Sequence, residues 1–298
     1  MMAETPAIRT EALVKRYGHG GATALKGLDL TVAPGEVFGF LGPNGAGKTT
    51  TIRILIDLIR PTSGSVRVLG VEPRSSHELR AKIGYLAGDF VANGRQTGRE
   101  LLTYLAGLRG GVPAKRIERL ASDWDLDLTK RIGSLSKGNR QKIGVLQAFM
   151  HRPPLLILDE PTSGLDPFLQ QQFVSLVQEA ARNGQTVFMS SHVMSEVQQT
   201  CDRVGIIRAG SLVAVEHIDE LRERALRKIE VRFDSDAPAL DVPGVSDVVI
   251  DGKVLRCKLS GDADALVKAL ARHHVVDLIS EEPELEEIFF TYYRRTGE

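Results

Sequence analysis

The sequence predicts an α/β fold built on a largely parallel sheet, with a smaller α+β domain at its C-terminal end. Three observations predict it. Gly42-Pro43-Asn44-Gly45-Ala46-Gly47-Lys48-Thr49-Thr50 fits the pattern G-x-x-x-x-G-K-[ST], between an apolar run ending at Leu41 and another from Ile52 to Leu58, so a strand enters this loop and a helix leaves it. Leu155-Leu156-Ile157-Leu158 is a continuous apolar run of strand length, as expected for a strand buried on both faces. Beyond about His217 the composition shifts to short strands that include a strong hairpin signal, Asp251-Gly252.

The elements follow in order. Ile8 to Val14 and Leu28 to Val32 alternate apolar with polar residues, the pattern of antiparallel strands with one wet face. Between them Lys15-Arg16-Tyr17-Gly18 reads as a turn presenting an aromatic ring. By itself Tyr17 fits a packed surface tyrosine as well as a platform for a purine. At Gly42, Gly45 and Gly47 the missing Cβ atoms let the backbone curl and aim N–H groups inward at an anion. The helix beginning near Lys48 adds roughly half a positive charge, and Lys48 a full one that reaches outer phosphates. Thr49 offers a hydroxyl to Mg²⁺.

Ile59 to Ser65 is expected as a turn, with strands at Val66 to Leu69 and Ile83 to Leu86, the second ending in Ala87-Gly88-Asp89. From Thr97 the character turns helical: Thr97 and Glu100 stand in capping-box spacing, and Leu101, Leu102, Leu105 and Leu108 follow at helical intervals. This helical segment runs to about His151, with a polar break from Asp123 to Ser136. It interrupts the α/β alternation and is expected as an inserted subdomain over about residues 90–152.

Ligands of open α/β sheets collect beyond the carboxyl ends of strands, where Asp159 and Glu160 emerge. Thr186 to Ser190 is a further buried strand, and its end carries Ser191-His192 on the same edge. Val204 to Ile207 and Leu212 to Val215 form a hairpin around Arg208-Ala209-Gly210. In the last part, strands are expected at Ile229 to Phe233, Val245 to Ile250, Val254 to Leu259 and Val275 to Ile279, with a helix at Ala263 to Arg272. A final helix starts at Pro283 with an apolar stripe at Leu285, Ile288, Phe289 and Tyr292. The expected division is a catalytic domain over residues 1–216 and an accessory domain over 217–298.

Lys plus Arg and Asp plus Glu both number 38, so the formal net charge is zero, no broad basic footprint exists, and no nucleic-acid partner is expected. Cys201 and Cys257 are too far apart for a CxxC redox or zinc motif and suit a reducing compartment. Met1 to Arg16 shows no hydrophobic core of a secretory leader. No run approaches the roughly 18 apolar residues of a membrane span.

Upstream of Asp159 lies Leu135-Ser136-Lys137-Gly138-Asn139-Arg140-Gln141, a Ser/Gly turn leading into a helix. With these motifs in one order, the sequence resembles the ATP-binding subunits of ABC transporters over roughly residues 7–215. Ser136-x-Gly138 resembles the family's signature loop, and Ser163-Gly164-Leu165-Asp166 its D-loop. The resemblance implies a P-loop NTPase fold with a RecA-like core, an antiparallel β subdomain and a helical subdomain. It implies that Tyr17 stacks on adenine, that Gly42 to Thr50 hold the phosphates, and that Thr49 and Asp159 bind Mg²⁺. Lys48, Glu160 and His192 are then catalytic: Glu160 polarises the attacking water and His192 senses the γ-phosphate. Ser136 and Gly138 complete the site of a second, facing ATPase subunit, which gives a head-to-tail dimer.

Two departures stand out. Gly88-Asp89 occupies the place where the family usually carries glutamine, so Asp89 either takes over the Mg²⁺ contact or the contact is missing. Ser-Lys-Gly-Asn replaces Ser-Gly-Gly-Gln and resembles the drug- and lipid-exporting subfamily; Lys137 is then either a charge near the partner's ATP or a solvated lysine. The C-terminal part resembles an extension of drug-resistance exporter ATPases, with a role in dimer support, regulation or stability. The expected function is an ATPase subunit powering an exporter, bound to a separate transmembrane permease around Phe90 to Gly98 at the cytoplasmic face of the membrane. The alternatives are an importer's ATPase subunit and a soluble ABC ATPase acting on ribosomes or DNA.

Overall fold

The computed structural model describes residues 5–18, 21–224 and 226–281. The chain divides into two compact units, Met1–Val215 and Glu216–Glu298.

In the first unit β1 (Ile8–Arg16) and β2 (Thr23–Val32) pair antiparallel, and both run longer than their apolar alternation predicts. Lys15 and Arg16 continue the ladder opposite Leu25 and Thr23, so half of the expected turn is strand. β3 (Val37–Leu41) is buried at every position and leads through the glycine loop into α1 (Lys48–Leu55). β4 (Ser63–Val68) starts inside the second expected turn, because Ser63 and Ser65 pair with Val14 and Glu11, and completes a three-stranded sheet of order β2-β1-β4. A short α2 (Glu78–Ala81) and β5 (Ile83–Leu86) follow.

The insertion contains α3 (Gly98–Leu108), α4 (Ala114–Asp123) and α5 (Lys137–Phe149). The capping box of α3 is present: Thr97 N–H donates to Glu100 Oε2 at 2.8 Å and Glu100 N–H to Thr97 Oγ1 at 3.2 Å. α5 is buried from Gln141 to Phe149 and has no basic residue in its last turn. Two arginines from outside cap it instead: Arg116 Nε donates to Met150 O at 2.7 Å, and Arg109 donates to Gln147 O.

β6 (Leu155–Asp159), α6 (Pro167–Arg182), β7 (Thr186–Ser191), α7 (Met194–Thr200), β8 (Arg203–Arg208) and β9 (Ser211–His217) return to the α/β alternation. The resulting six-stranded sheet has the order β5-β6-β7-β3-β8-β9 and is parallel from β5 to β8. β6 and β7, like β3, are buried at every position, which is why Leu155–Leu158 and Val187–Met189 read as apolar runs. Phe188 packs between Phe38 and Phe40 at centroid distances of 5.9 and 5.4 Å. Register then sets the site. Leu41 pairs with Ser191 and Asp159 with Ser190, so β3, β6 and β7 end together and release their loops at one edge.

The second unit contains α8 (Ile218–Arg224), β10 (Arg227–Phe233), β11 (Val245–Asp251), β12 (Val254–Leu259), α9 (Asp264–Leu270) and β13 (Val275–Ser280). Its antiparallel sheet has the order β11-β12-β10-β13. Asp251 pairs with Val254 across Gly252, whose φ of 56° is the left-handed turn that the Asp-Gly signal predicts. Leu266 and Leu270 of α9 pack with Ile229, Val231, Phe233 and Leu255 of the sheet. The helix expected from Pro283 lies outside the described residues.

Candidate nucleotide site

Close approach, not flexibility alone, dictates the glycines of the loop. A Cβ on Gly42 would lie 2.3 Å from Ile207 O, and one on Gly47, the N-cap of α1 at φ 115°, would lie 2.8 Å from Ala24 O. α1 has no side-chain N-cap and no acid in its first turn, so its leading N–H groups have no side-chain acceptor at that end. Lys48 is only 5% exposed. Its Nζ donates to Gly42 O at 2.7 Å and Pro43 O at 3.3 Å, and lies 3.3 Å from Glu160 Oε1.

Asp159 closes β6 and is buried; its Oδ1 accepts Ser190 Oγ–H at 2.6 Å. The next residue, Glu160, has φ 45°, a backbone region that costs a non-glycine residue on the order of 1–3 kcal/mol. The surroundings impose it. Glu160 N–H is shared between Ser190 O at 3.2 Å and Ser190 Oγ at 3.1 Å, which holds the turn against β7. The carboxylate thereby bridges two loops, with Oε1 beside Lys48 and Oε2 3.3 Å from Nδ1 of the half-exposed His192. Tyr85, on neighbouring β5, is pushed above the usual phenol range by burial and then by the Asp159 charge, so it stays a neutral phenol.

The other expected residues fall on two sides. Tyr17 is 42% exposed, its hydroxyl 3.3 Å from Thr50 Oγ1 and its ring 5.3 Å from Lys15 Nζ, so the aromatic face stands beside the phosphate-loop helix. Thr49 is exposed in the first turn of α1. Asp89 is exposed, one residue past Gly88, whose Cβ would meet Asp159 O at 3.0 Å. Ser136 is the N-cap of α5, its Oγ accepting Asn139 N–H at 3.2 Å. Gly138 lies against Gly164 O, where a Cβ would sit at 3.7 Å, and the Lys137 side chain also borders Gly164. Among the described residues, Ser136 and Gly138 make no hydrogen bond to the phosphate loop of their own chain.

Sequence reasoning missed Ser190, Thr162 and Gln141. Ser190 supplies the hydroxyl between Asp159 and Glu160, and Gln141 Nε2 donates to Pro161 O at 3.2 Å, tying α5 to the loop after β6. For Gln141 only the fold brings donor and acceptor together.

A cradle of N–H donors, a buried ammonium, two carboxylates and an imidazole at one sheet edge defines a P-loop nucleoside triphosphatase. The model of the ABC transporter family matches residues 25–163. A bacitracin transport ATP-binding protein of Enterococcus faecalis is 38% identical over 259 residues, which cover 86% of this chain and 80% of that protein. A fluoroquinolones export ATP-binding protein of Mycobacterium tuberculosis is 32% identical over 96% of this chain and 92% of its own. A solved ATP-binding subunit of an ABC transporter superposes with a TM-score of 0.66 at 29% identity, covering 73% of this chain and 92% of that one. A dimeric cassette bound to ADP and Pi shares the fold, with a TM-score of 0.66 at 23% identity over 71% of this chain and 98% of its own. The chain belongs to the ABC transporter family and is an ATPase of it.

Proposed function

We propose that this ATPase powers a membrane exporter by closing, with ATP at the shared boundary, as a head-to-tail dimer. Kinship over most of the chain with bacitracin-transport and fluoroquinolone-export ATP-binding proteins supports export. No helix among the described residues is long and apolar enough to cross a membrane, and we assign the spans to a separate permease that holds this subunit at the cytoplasmic face. We place the permease contact in the groove around Phe90–Gly98 and the helical insertion; an apolar cavity of about 350 Å³, lined by Leu55, Leu58, Leu79, Tyr85 and Arg109 among others, opens beside β5, the strand that leads toward this segment. We take residues 1–216 as the catalytic domain and 217–298 as an accessory domain that supports the dimer.

The phosphate loop and Lys48 bind the triphosphate, and Tyr17 stacks on the base. Thr49 Oγ1 and the Asp159 carboxylate form a hard oxygen donor pair at one sheet edge, which suits Mg²⁺, with Asp89 as a further oxygen. The ion supplies charge compensation on the phosphates when bound. Glu160 orients and polarises the attacking water, His192 contacts the γ-phosphate, and the partner subunit contributes its Ser136–Gly138 turn. The observation that carries this is the Glu160 carboxylate held between Lys48 and His192 beside Asp159.

Glu160→Gln keeps the shape and removes the charge. We expect ATP turnover to fall by roughly a hundredfold or more while ATP binding persists. Unchanged turnover would contradict the assignment.

A further inference from the structure

We propose that Glu196 is a positioning residue that locks the loop carrying Glu160 to the strand end carrying His192. Glu196 stands in the first turn of α7 and, among the described residues, makes no hydrogen bond or ion pair with the phosphate loop, Asp159 or Glu160. Its two oxygens serve two different segments. Thr162 Oγ1, two residues past Glu160, donates to Oε1; Ser191 Oγ, one residue before His192, donates to Oε2 at 2.8 Å. Both hydroxyl residues are buried, Thr162 at 4% and Ser191 at 1% exposure. Hydrogen bonds from neutral donors to a carboxylate are about twice as strong as neutral pairs, and more so out of water.

Each end of the clamp is wired into the site. Ser191 O accepts Gly42 N–H at 3.3 Å, so the same residue anchors the first glycine of the phosphate loop. Ser191 Oγ also accepts Val193 N–H at 2.9 Å, which fixes the backbone on both sides of His192. On the other side, Leu165 N–H donates to Thr162 O and Ser163 N–H to Glu160 O, so a fixed Thr162 fixes the turn from Glu160 to Leu165. The Glu160–His192 contact spans the gap that Glu196 braces from behind. Losing the carboxylate frees Thr162 and Ser191 to choose other partners, and Glu160 and His192 then drift apart without either being altered.

The inference rests on the ATPase assignment, and the tests separate the two. Lys48→Ala is the control for the site itself: if it still hydrolyses ATP at the native rate, the assignment fails, not the clamp. With that control inactive, Glu196→Ala is expected to lower kcat by about tenfold or more and to leave KM for ATP within about twofold. Glu196→Gln keeps an acceptor oxygen and a polar group in reach of both hydroxyls and is expected to recover most of kcat. A residue that merely complemented the helix dipole would lose its effect in Gln as fully as in Ala. Thr162→Val combined with Glu196→Ala is expected to cost no more than Glu196→Ala alone, because both cut one link. Should Glu196→Ala fail to fold, Thr162→Val removes one of the two hydrogen bonds to the carboxylate and Ser191→Ala the other, together with its contacts to Val193, and each is expected to lower kcat by about threefold or more. Native kcat in Glu196→Ala, or in both fallback variants, overturns the proposal, as does a loss confined to KM or thermal stability.

Discussion

Two residues at the site carry conformations dictated by their neighbours. Glu160 is held in a left-handed backbone by both oxygens of Ser190, and Gly42 lies so close to Ile207 O that no side chain fits. For Gly42→Ala the obstructing atom is backbone, so rotamer changes give no relief; we expect a loss of about 2 kcal/mol or more, read as a lower urea midpoint. The loop glycines and Lys48 were legible in the sequence because the pattern fixes residue types at fixed spacing, and the convergence of Asp159 and Glu160 on the same edge because they follow an apolar strand. The hydroxyls of Ser190, Ser191 and Thr162 were not. Their roles arise from pairing across β6, β7 and α7, which no local pattern encodes.

At the scale of elements, buried strands declared themselves best. β3, β6 and β7 are buried at every position and carry short apolar runs such as Leu155–Leu158 and Val187–Met189, whereas β1 and β4 extend through polar residues such as Lys15, Arg16, Ser63 and Ser65 that the backbone ladder recruits. The C-terminus of α5 was illegible for a similar reason, since its caps come from Arg109 and Arg116 on other elements. His151, just beyond α5, has Nδ1 3.1 Å from Arg109 Nη1, and burial first, then Arg109, lowers its pKa from 6.5 to about 4. The fold therefore favours neutral imidazole, and the unfolded chain takes up the proton first as pH falls. Its contribution is present above pH 6.5 and lost on acidification toward about 4. The Tm of His151→Gln is expected to fall less than that of the native protein between these values; parallel curves would contradict the shift.

For the whole molecule, the single chain presents a phosphate loop with its acids on one edge and a Ser136–Gly138 turn that lies against Gly164 instead. The phosphate-loop pattern and a change of composition near His217 were readable in the sequence, while the arrangement of two subunits is a matter of surfaces. With Mg²⁺ and ATP, Glu160→Gln is expected to sediment as a dimer and the nucleotide-free protein as a monomer. The most direct measurement mixes two inactive variants, Lys48→Ala and Ser136→Arg. If each site draws Lys48 from one subunit and Ser136 from the other, a mixed dimer contains one intact site, and ATP hydrolysis returns on mixing. If both residues serve the site of their own chain, the mixture stays as inactive as its parts.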